Sequence, residues 1–244
     1  MICVIKVGGS SFSDKKSGKS YVDKVAKILA SELTPNDKFV IIQGAGYIGH
    51  KIAKEKELAK LENNQISWAY LRNEVMRVSA KFIDKLIKSG KPAVYIATSS
   101  IAHMKEGKLL ALDIKPIKGF VENGFIPFLH SDAPIDEVHG LSILSGDILA
   151  EKIAELLGAD MLIYGTDVDG VLDENKKVIP ELRKEEIDKI KYWKVDDVSG
   201  GIQAKLRFAA EAASKGIKVM IINLRKKGNL SRAIAGENIG TRIV

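Results

Sequence analysis

Several charged side chains of this sequence stand beside turns of small residues. Lys6 precedes Gly8-Gly9-Ser10, and Lys15 follows Asp14. His50 closes a glycine-rich run over 44–50, Asp147 follows Ser145-Gly146, and Lys205 follows Gly200-Gly201. Glycine lets backbone N–H groups come close to an anion because no Cβ intervenes, and a nearby lysine adds a mobile positive charge. The chemistry such residues suit is phosphate binding. Each signal also has a plain structural explanation. A Gly-Gly turn after a strand occurs in any α/β protein, Asp147 can serve as a helix N-cap, and a lone histidine is commonly a cap or a core residue.

Two motif matches narrow the chemistry. Gly18-Lys19-Ser20 looks like the end of a P-loop, but that pattern requires glycine at position 13, where Ser13 stands. Gly44, Gly46 and Gly49 fit the dinucleotide fingerprint G-x-G-x-x-G, which keeps a nucleotide-dependent oxidoreductase in play. The fingerprint falls after the second apolar run rather than the first, and it leaves Gly8-Gly9 without a task. A glycine turn leading into a helix holds an anion through free N–H donors and the positive end of the helix dipole. Downstream, Thr166-Asp167-Val168-Asp169-Gly170 follows an apolar run, and Asp196-Asp197-Val198-Ser199-Gly200-Gly201 leads to Lys205 at a helix start.

The elements that must carry these residues alternate. Short β-branched runs at 2–7, 39–43, 93–97, 125–129, 161–165 and 218–223 predict buried strands of a largely parallel sheet. Between them apolar residues recur at helical spacing, as in Val22, Val25, Ala26 and Leu29, and in Val75, Val78, Phe82 and Leu86. This alternation predicts an open α/β sheet covered on both faces, with ligands at the carboxyl ends of the strands. Residues 101–112 predict short strands around Glu106-Gly107, and residues 132–144 irregular chain with strand-like pieces around His139-Gly140; both suit a rim over a pocket.

With 244 residues the chain is expected to form a single domain over 1–244, with a soft division near Asp147 into lobes 1–145 and 146–244. The one cysteine, Cys3, lies in an apolar run, which excludes an intrachain disulfide and predicts a buried thiol in a reducing compartment. No apolar run approaches a membrane span and no signal-peptide order opens the chain, so a cytoplasmic protein without membrane contact is expected. The net charge of +7 raises a polyanionic partner, but the lysines are dispersed among glutamates, so nucleic acid is not expected.

As a set, these segments resemble the amino acid kinase superfamily: a Lys-x-Gly-Gly-Ser start, a glycine turn after the second strand, a Ser-Gly-Asp helix, a Thr-Asp-Val-Asp-Gly loop and a Gly-Gly-x-x-x-Lys close. Within it the chain is most similar to archaeal isopentenyl phosphate kinases, which carry Gly-Gly-Gly-Ser-Phe-Gly-His where this chain has 44–50 and share the histidine. The resemblance implies a three-layer αβα sandwich with a mainly parallel open sheet, ATP and Mg²⁺ as cofactors, a small phosphorylated acceptor and a homodimer. It also implies roles. His50 would bond the acceptor phosphate, held with Gly44, Ala45, Gly46, Gly49, Ser145 and Gly146. Lys6 and Lys15 would neutralise the moving phosphoryl group, and Asp147 would orient the lysines. Gly8, Gly9, Ser10, Thr166, Asp167, Asp169, Gly170, Gly201 and Lys205 would bind ATP. Where the family has its second glycine and Ser-Phe, this chain has Ala45 and Tyr47-Ile48, and Ala45 is compatible with the turn if its φ is negative. An isoprenoid acceptor needs an apolar pocket, for which the segment with Ile66, Trp68, Tyr70, Met76 and Phe82 is the candidate. Kinases of the same fold acting on fosfomycin, aminomethylfuran phosphates or amino acids, and a non-catalytic nucleotide-binding regulator, are the alternatives.

Overall fold

The computed structural model of the chain describes residues 1–14, 17–55, 65–193 and 201–244, with no side-chain description for residues 48, 50, 53–55 and 201. In chain order the elements are β1 Ile2–Val7, α1 Gly9–Phe12, α2 Val22–Glu32, β2 Lys38–Gln43, α3 Gly46–Glu55, α4 Gln65–Lys88, β3 Ala93–Tyr95, β4 Ala102–Lys105, β5 Lys108–Leu112, α5 Lys115–Glu122 and β6 Ile126–His130. Then come β7 Ile135–Asp136, β8 Gly140–Leu141, α6 Gly146–Leu157, β9 Met161–Thr166, β10 Glu181–Leu182, α7 Gly201–Ser214, β11 Lys218–Asn223, α8 Asn229–Ile234 and β12 Thr241–Ile243.

Eight strands form one sheet in the order β10-β12-β11-β9-β1-β2-β6-β3, parallel except where β12 meets β11. Because successive side chains of a strand point to opposite faces, β1 divides its residues between two cores. Cys3, Ile5 and Val7 pack with α2, the end of α4 and α8. Val4 packs with α5, α6 and α7. Helices thus cover both faces, as the alternation predicts. The same period sends Lys6 to the side of Val4, the side on which α6 and α7 lie. The register then brings the loops together: Val7 is level with Gln43 and with Gly165, and Gln43 is level with His130. The loops that follow four strands therefore open at one edge of the sheet.

Most predicted strands fall within a residue or two of their places. The run at 93–97 is strand only to Tyr95, and the run at 125–129 begins one residue later because the Phe125 N–H closes the α5 turn onto the Phe120 carbonyl. The two interruptions pair with each other as a second sheet, β5-β4-β7-β8. Asp136 organises it, its buried carboxylate accepting from the amides of Gly107, Val138 and His139. These bonds outweigh the cost of burial and hold its carboxyl below the usual range. The strands β10 and β12 went unpredicted, being two and three residues long. Among the described residues no helix is long and apolar enough to cross a membrane.

Candidate active site

At the carboxyl edge of the sheet a cavity of about 450 Å³ runs across β1, with β2 and β6 on one side and β9 on the other. Its floor is an ion triad. Lys6 Nζ lies 2.8 Å from Asp147 Oδ1, and Lys205 Nζ lies 3.0 Å from the same oxygen and 3.1 Å from Oδ2. Local sequence explains how Asp147 comes to be free for this. Ser145, not Asp147, caps α6, its Oγ accepting from the Ile148 N–H at 3.3 Å. Asp147 therefore projects from the first helical turn, where the helix dipole favours a negative charge.

The electrostatics of the triad follow from burial and pairing. Burial pushes the Lys6 ammonium down to about 8, the attraction of Asp147 opposing and the repulsion of Lys205 reinforcing that shift. For Asp147 burial works against the charge, but Lys205 and then Lys6 outweigh it and hold the carboxyl well below the usual carboxylate range. Tyr164, buried beneath, has its phenol pushed up by desolvation and then by Asp147; Lys205 sits 5.7 Å over its ring.

The two early glycine turns touch. A Cβ on Gly9 would lie 2.8 Å from Gly46 Cα, and Gly46 itself has φ +67°, with the Phe12 ring 2.6 Å from where a Cβ would stand. Ser13 joins the turns, donating to the Gly9 carbonyl at 2.8 Å and accepting from the Tyr47 N–H at 2.9 Å. Ala45 is not among the residues of positive φ, so it fits an ordinary backbone conformation. Its methyl group occupies the space next to Gly49, where a second Cβ would come within 2.5 Å of it.

Gly8, Gly9, Ser10, Gly44, Ala45, Gly46 and Gly49 line the cavity, as do Ser145, Gly146, Thr166, Asp167 and Gly170. The Gly8 N–H is committed to the Gly165 carbonyl at 2.9 Å. Among the described residues the amides of Gly9, Ser10, Ala45 and Gly46 have no protein acceptor and remain available to an anion. Asp169 is not on the cavity lining, and of Gly201 only its backbone place at the start of α7 is described. Asp169 instead pairs with Lys226 at 2.8 Å and accepts from Asn223 Nδ2 at 3.0 Å, which fixes the loop after β9. Lys15 and the 196–200 segment lie outside the described residues, and of His50 only its backbone place in α3 is described.

One expectation needs correction. Ile66, Tyr70 and Met76 are 83 %, 52 % and 42 % exposed, while Trp68 and Phe82 are buried in packing clusters. The apolar wall on the β2–β6 side is built by Leu71 and Val75 of the same helix, with Ala133 and Ile143. Ile66, Tyr70 and Met76 lie on exposed faces of that helix and Phe82 packs toward α2, while Trp68 shares the stripe of Leu71 and Val75 but is not on the lining.

Sequence reasoning also passed over Arg72 and Asp132, which meet at this wall. Arg72 Nε donates to Asp132 Oδ1 at 2.8 Å and its Nη2 donates to Ser99 Oγ, while the amides of Ser99 and Ala133 donate to the same carboxylate. Asp132 directly follows a strand and Ser131, so the strand-end rule that flagged Thr166-Asp167 would have found it; Arg72 carries no comparable signal. Nearby, His130 Nδ1 donates to the Ser131 carbonyl at 2.8 Å, which leaves Nε2 to accept from the Tyr95 hydroxyl at 2.8 Å. Burial lowers the pKa of His130 and supports this neutral form. On the β9 side, Val171, Leu172, Trp193 and Ile202 add an apolar surface that was not anticipated.

Comparison with known proteins agrees with this geometry. The sequence profile of the amino acid kinase family matches residues 1–223. The chain is 31 % identical to the isopentenyl phosphate kinase of Methanothermobacter thermautotrophicus, over 98 % of each chain. To that of Methanocaldococcus jannaschii it is 30 % identical, over 100 % of this chain and 98 % of the other. A solved isopentenyl phosphate kinase superposes with a TM-score of 0.83 at 26 % identity, covering 100 % of both chains.

Proposed function

The chain belongs to the amino acid kinase family, and from that membership and the geometry of the crevice we propose that it is an ATP-dependent kinase of isopentenyl phosphate. The observation that carries this reading is the Lys6–Asp147–Lys205 triad, set between two open-amide turns and flanked by an apolar wall. Amides and ammonium groups suit a row of phosphates, and Leu71, Val75, Ala133 and Ile143 suit a short hydrocarbon tail. The relatives named isopentenyl phosphate kinase support the same substrate.

The reaction these residues fit is an in-line displacement. An oxygen of the acceptor phosphate attacks the γ-phosphorus of ATP, the bond to the bridging β,γ-oxygen breaks, and ADP leaves with that electron pair. A phosphate monoester loses its second proton near pH 6, so the acceptor arrives as a competent nucleophile and no general base is required. In this reading the amides around Ala45 and Gly46, with His50, hold the acceptor phosphate. The Gly9 and Ser10 amides hold the nucleotide phosphates, and Lys6 and Lys205 neutralise charge that grows on the transferring group. Lys15 would contribute to that neutralisation. Asp147 keeps the two ammonium groups a fixed distance apart without touching the phosphates. Thr166, Asp167 and Gly170 border the nucleotide, and Leu172, Trp193 and Ile202 offer its base an apolar face.

Mg²⁺ would enter this crevice as a passenger of ATP and would supply positive charge toward the nucleotide phosphates. Among the described residues no three His, Cys, Asp or Glu side chains converge, and Mg²⁺ ordinarily binds through one or two carboxylates, substrate phosphates and water. Asp167 would be one carboxylate of the lining able to approach it. Residues 1–145 then act mainly on the acceptor and 146–244 on the nucleotide, in a cytoplasmic homodimer.

A coupled assay of ADP release with Mg²⁺ and ATP tests this reading across isopentenyl phosphate, dimethylallyl phosphate, fosfomycin and small amino acids. Turnover is expected with isopentenyl phosphate and is expected to fall by orders of magnitude in His50→Ala. Turnover with an amino acid but not with a prenyl phosphate would overturn the assignment.

A further inference from the structure

The first glycine turn is held from outside by a residue just beyond the segment that the family profile matches. The turn, α1, has four residues. One turn of helix is not stable by itself, because nucleation fixes several dihedrals for a single hydrogen bond, and its last carbonyls have no intrahelical donors. Arg225 supplies them. Its Nε donates to the Ser11 carbonyl at 2.9 Å, and its Nη2 donates to the Ser10 carbonyl and, at 3.4 Å, to that of Ser13. The guanidinium lies 4.0 Å over the Tyr21 ring. The ring is itself anchored to the turn, since the Tyr21 N–H donates to the Phe12 carbonyl at 2.7 Å.

The loop that delivers Arg225 is fixed at both ends. Before it, Asn223 Oδ1 accepts from the Arg225 N–H at 3.0 Å, and Asn223 Nδ2 donates to the Asp167 carbonyl at 3.1 Å and to Asp169. After it, the Glu32 carboxylate accepts from the amides of Gly228 and Ser231. One short segment therefore ties the loop after β9 to the carbonyl end of α1. At the opposite end of that turn stand the uncommitted amides of Gly9 and Ser10.

We propose that Arg225 is the positioning residue of the first phosphate turn: by gathering the carbonyls of Ser10, Ser11 and Ser13 while stacked on Tyr21, it aims the Gly9 and Ser10 amides into the crevice. This rests on the reading above that those amides hold nucleotide phosphates. Arg225 is not on the cavity lining, so it acts through the turn. A planar fork is needed, because lysine offers a single point of charge and cannot span three carbonyls or stack in the same way.

The test uses the full-length protein with Arg225→Ala and Arg225→Lys. Misplacing a binding group by about 1 Å can cost about 10²-fold in rate. Both variants are expected to lose about 10- to 100-fold in kcat, with KM for isopentenyl phosphate within about twofold of the parent. Millimolar guanidinium is expected to restore Arg225→Ala at least severalfold and to leave the parent unchanged. Amide hydrogen exchange is expected to speed up at least about tenfold at Ser11, Ser13 and Tyr21 and to stay the same along β1 and β9. Unaltered exchange in the turn, or full activity in Arg225→Lys, would overturn the proposal. If Arg225→Ala does not fold, Arg225→Lys carries the test. A parent that transfers no phosphate to any prenyl phosphate would defeat the functional reading, and the exchange measurement would still decide what Arg225 holds in place.

Discussion

Replacing Asp147 by asparagine keeps the shape of the triad and removes the charge at its centre. Lys6 and Lys205 bond the same oxygen at 2.8 and 3.0 Å, so the two ammonium nitrogens are at most about 6 Å apart. At an effective dielectric near 20 their mutual repulsion is about 3 kcal/mol. In the parent the carboxylate more than offsets it. In Asp147→Asn nothing does, and the loss belongs to the class in which one partner of a buried pair is removed, about 3–5 kcal/mol. Urea unfolding without nucleotide should therefore show a stability lower by about 3 kcal/mol. Saturating ATP should reduce that deficit by at least half, because its phosphates take over as counter-ions. The kinetic prediction is sharper. Two uncompensated cations should bind ATP at least as tightly as before while losing the fixed spacing that serves the transition state. The expectation is a fall in kcat of about 10²-fold, equivalent to about 2.7 kcal/mol, with KM for ATP unchanged or lower. Steady-state kinetics at neutral pH decide the matter. A raised KM for ATP with kcat intact would mean that Asp147 contacts the nucleotide directly, and a stability deficit unaffected by ATP would mean that phosphates do not enter the triad.

The triad was open to a reader of the sequence, because each of its members follows a chemical rule that operates over a few residues. Lys6 ends an apolar strand next to a glycine turn, Asp147 opens a helix behind a capping serine, and Lys205 lies in the first turns of another helix. What could not be read was how far such a rule extends. Helical spacing correctly placed α4, but a helix 24 residues long has more than one apolar stripe. Phe82 turns to the α2 side, and Trp68 packs in one cluster with Leu71 and Val75, of which only the latter two reach the crevice. Periodicity finds a stripe without saying which neighbour will cover it. Asp169 shows the converse. Within Thr166-Asp167-Val168-Asp169-Gly170 it resembles Asp167, yet Lys226 and Asn223, brought in by β11, claim its side chain. Arg225 and Arg72 depend wholly on partners more than 20 residues away in sequence, and no local pattern marks such a residue.

Two further predictions concern the turn and the pH response. Gly46→Ala should lower stability by about 2–3 kcal/mol in urea unfolding, since the new methyl group meets the Phe12 ring at 2.6 Å and alanine at φ +67° adds about 1 kcal/mol of strain. Gly90→Ala, at φ +76° with open space around it, should show only the strain of about 1 kcal/mol; equal losses at both sites would refute the packing argument. The second prediction follows from Lys6, lowered by burial from 10.5 to about 8. In kcat/KM, which reports the free enzyme, activity should fall as pH rises past about 8, because the ammonium that neutralises the transferring group becomes an amine. Stability should move the other way. Between pH 8 and 10.5 the unfolded chain holds the Lys6 proton and the native protein does not, so that lysine's contribution to stability rises with pH across this window. A rate that falls together with stability would assign the alkaline limb to unfolding. A rate that falls while urea unfolding shows stability constant or rising assigns it to Lys6, and Asp147→Asn, which removes the attraction that supports the ammonium, should shift the limb to lower pH.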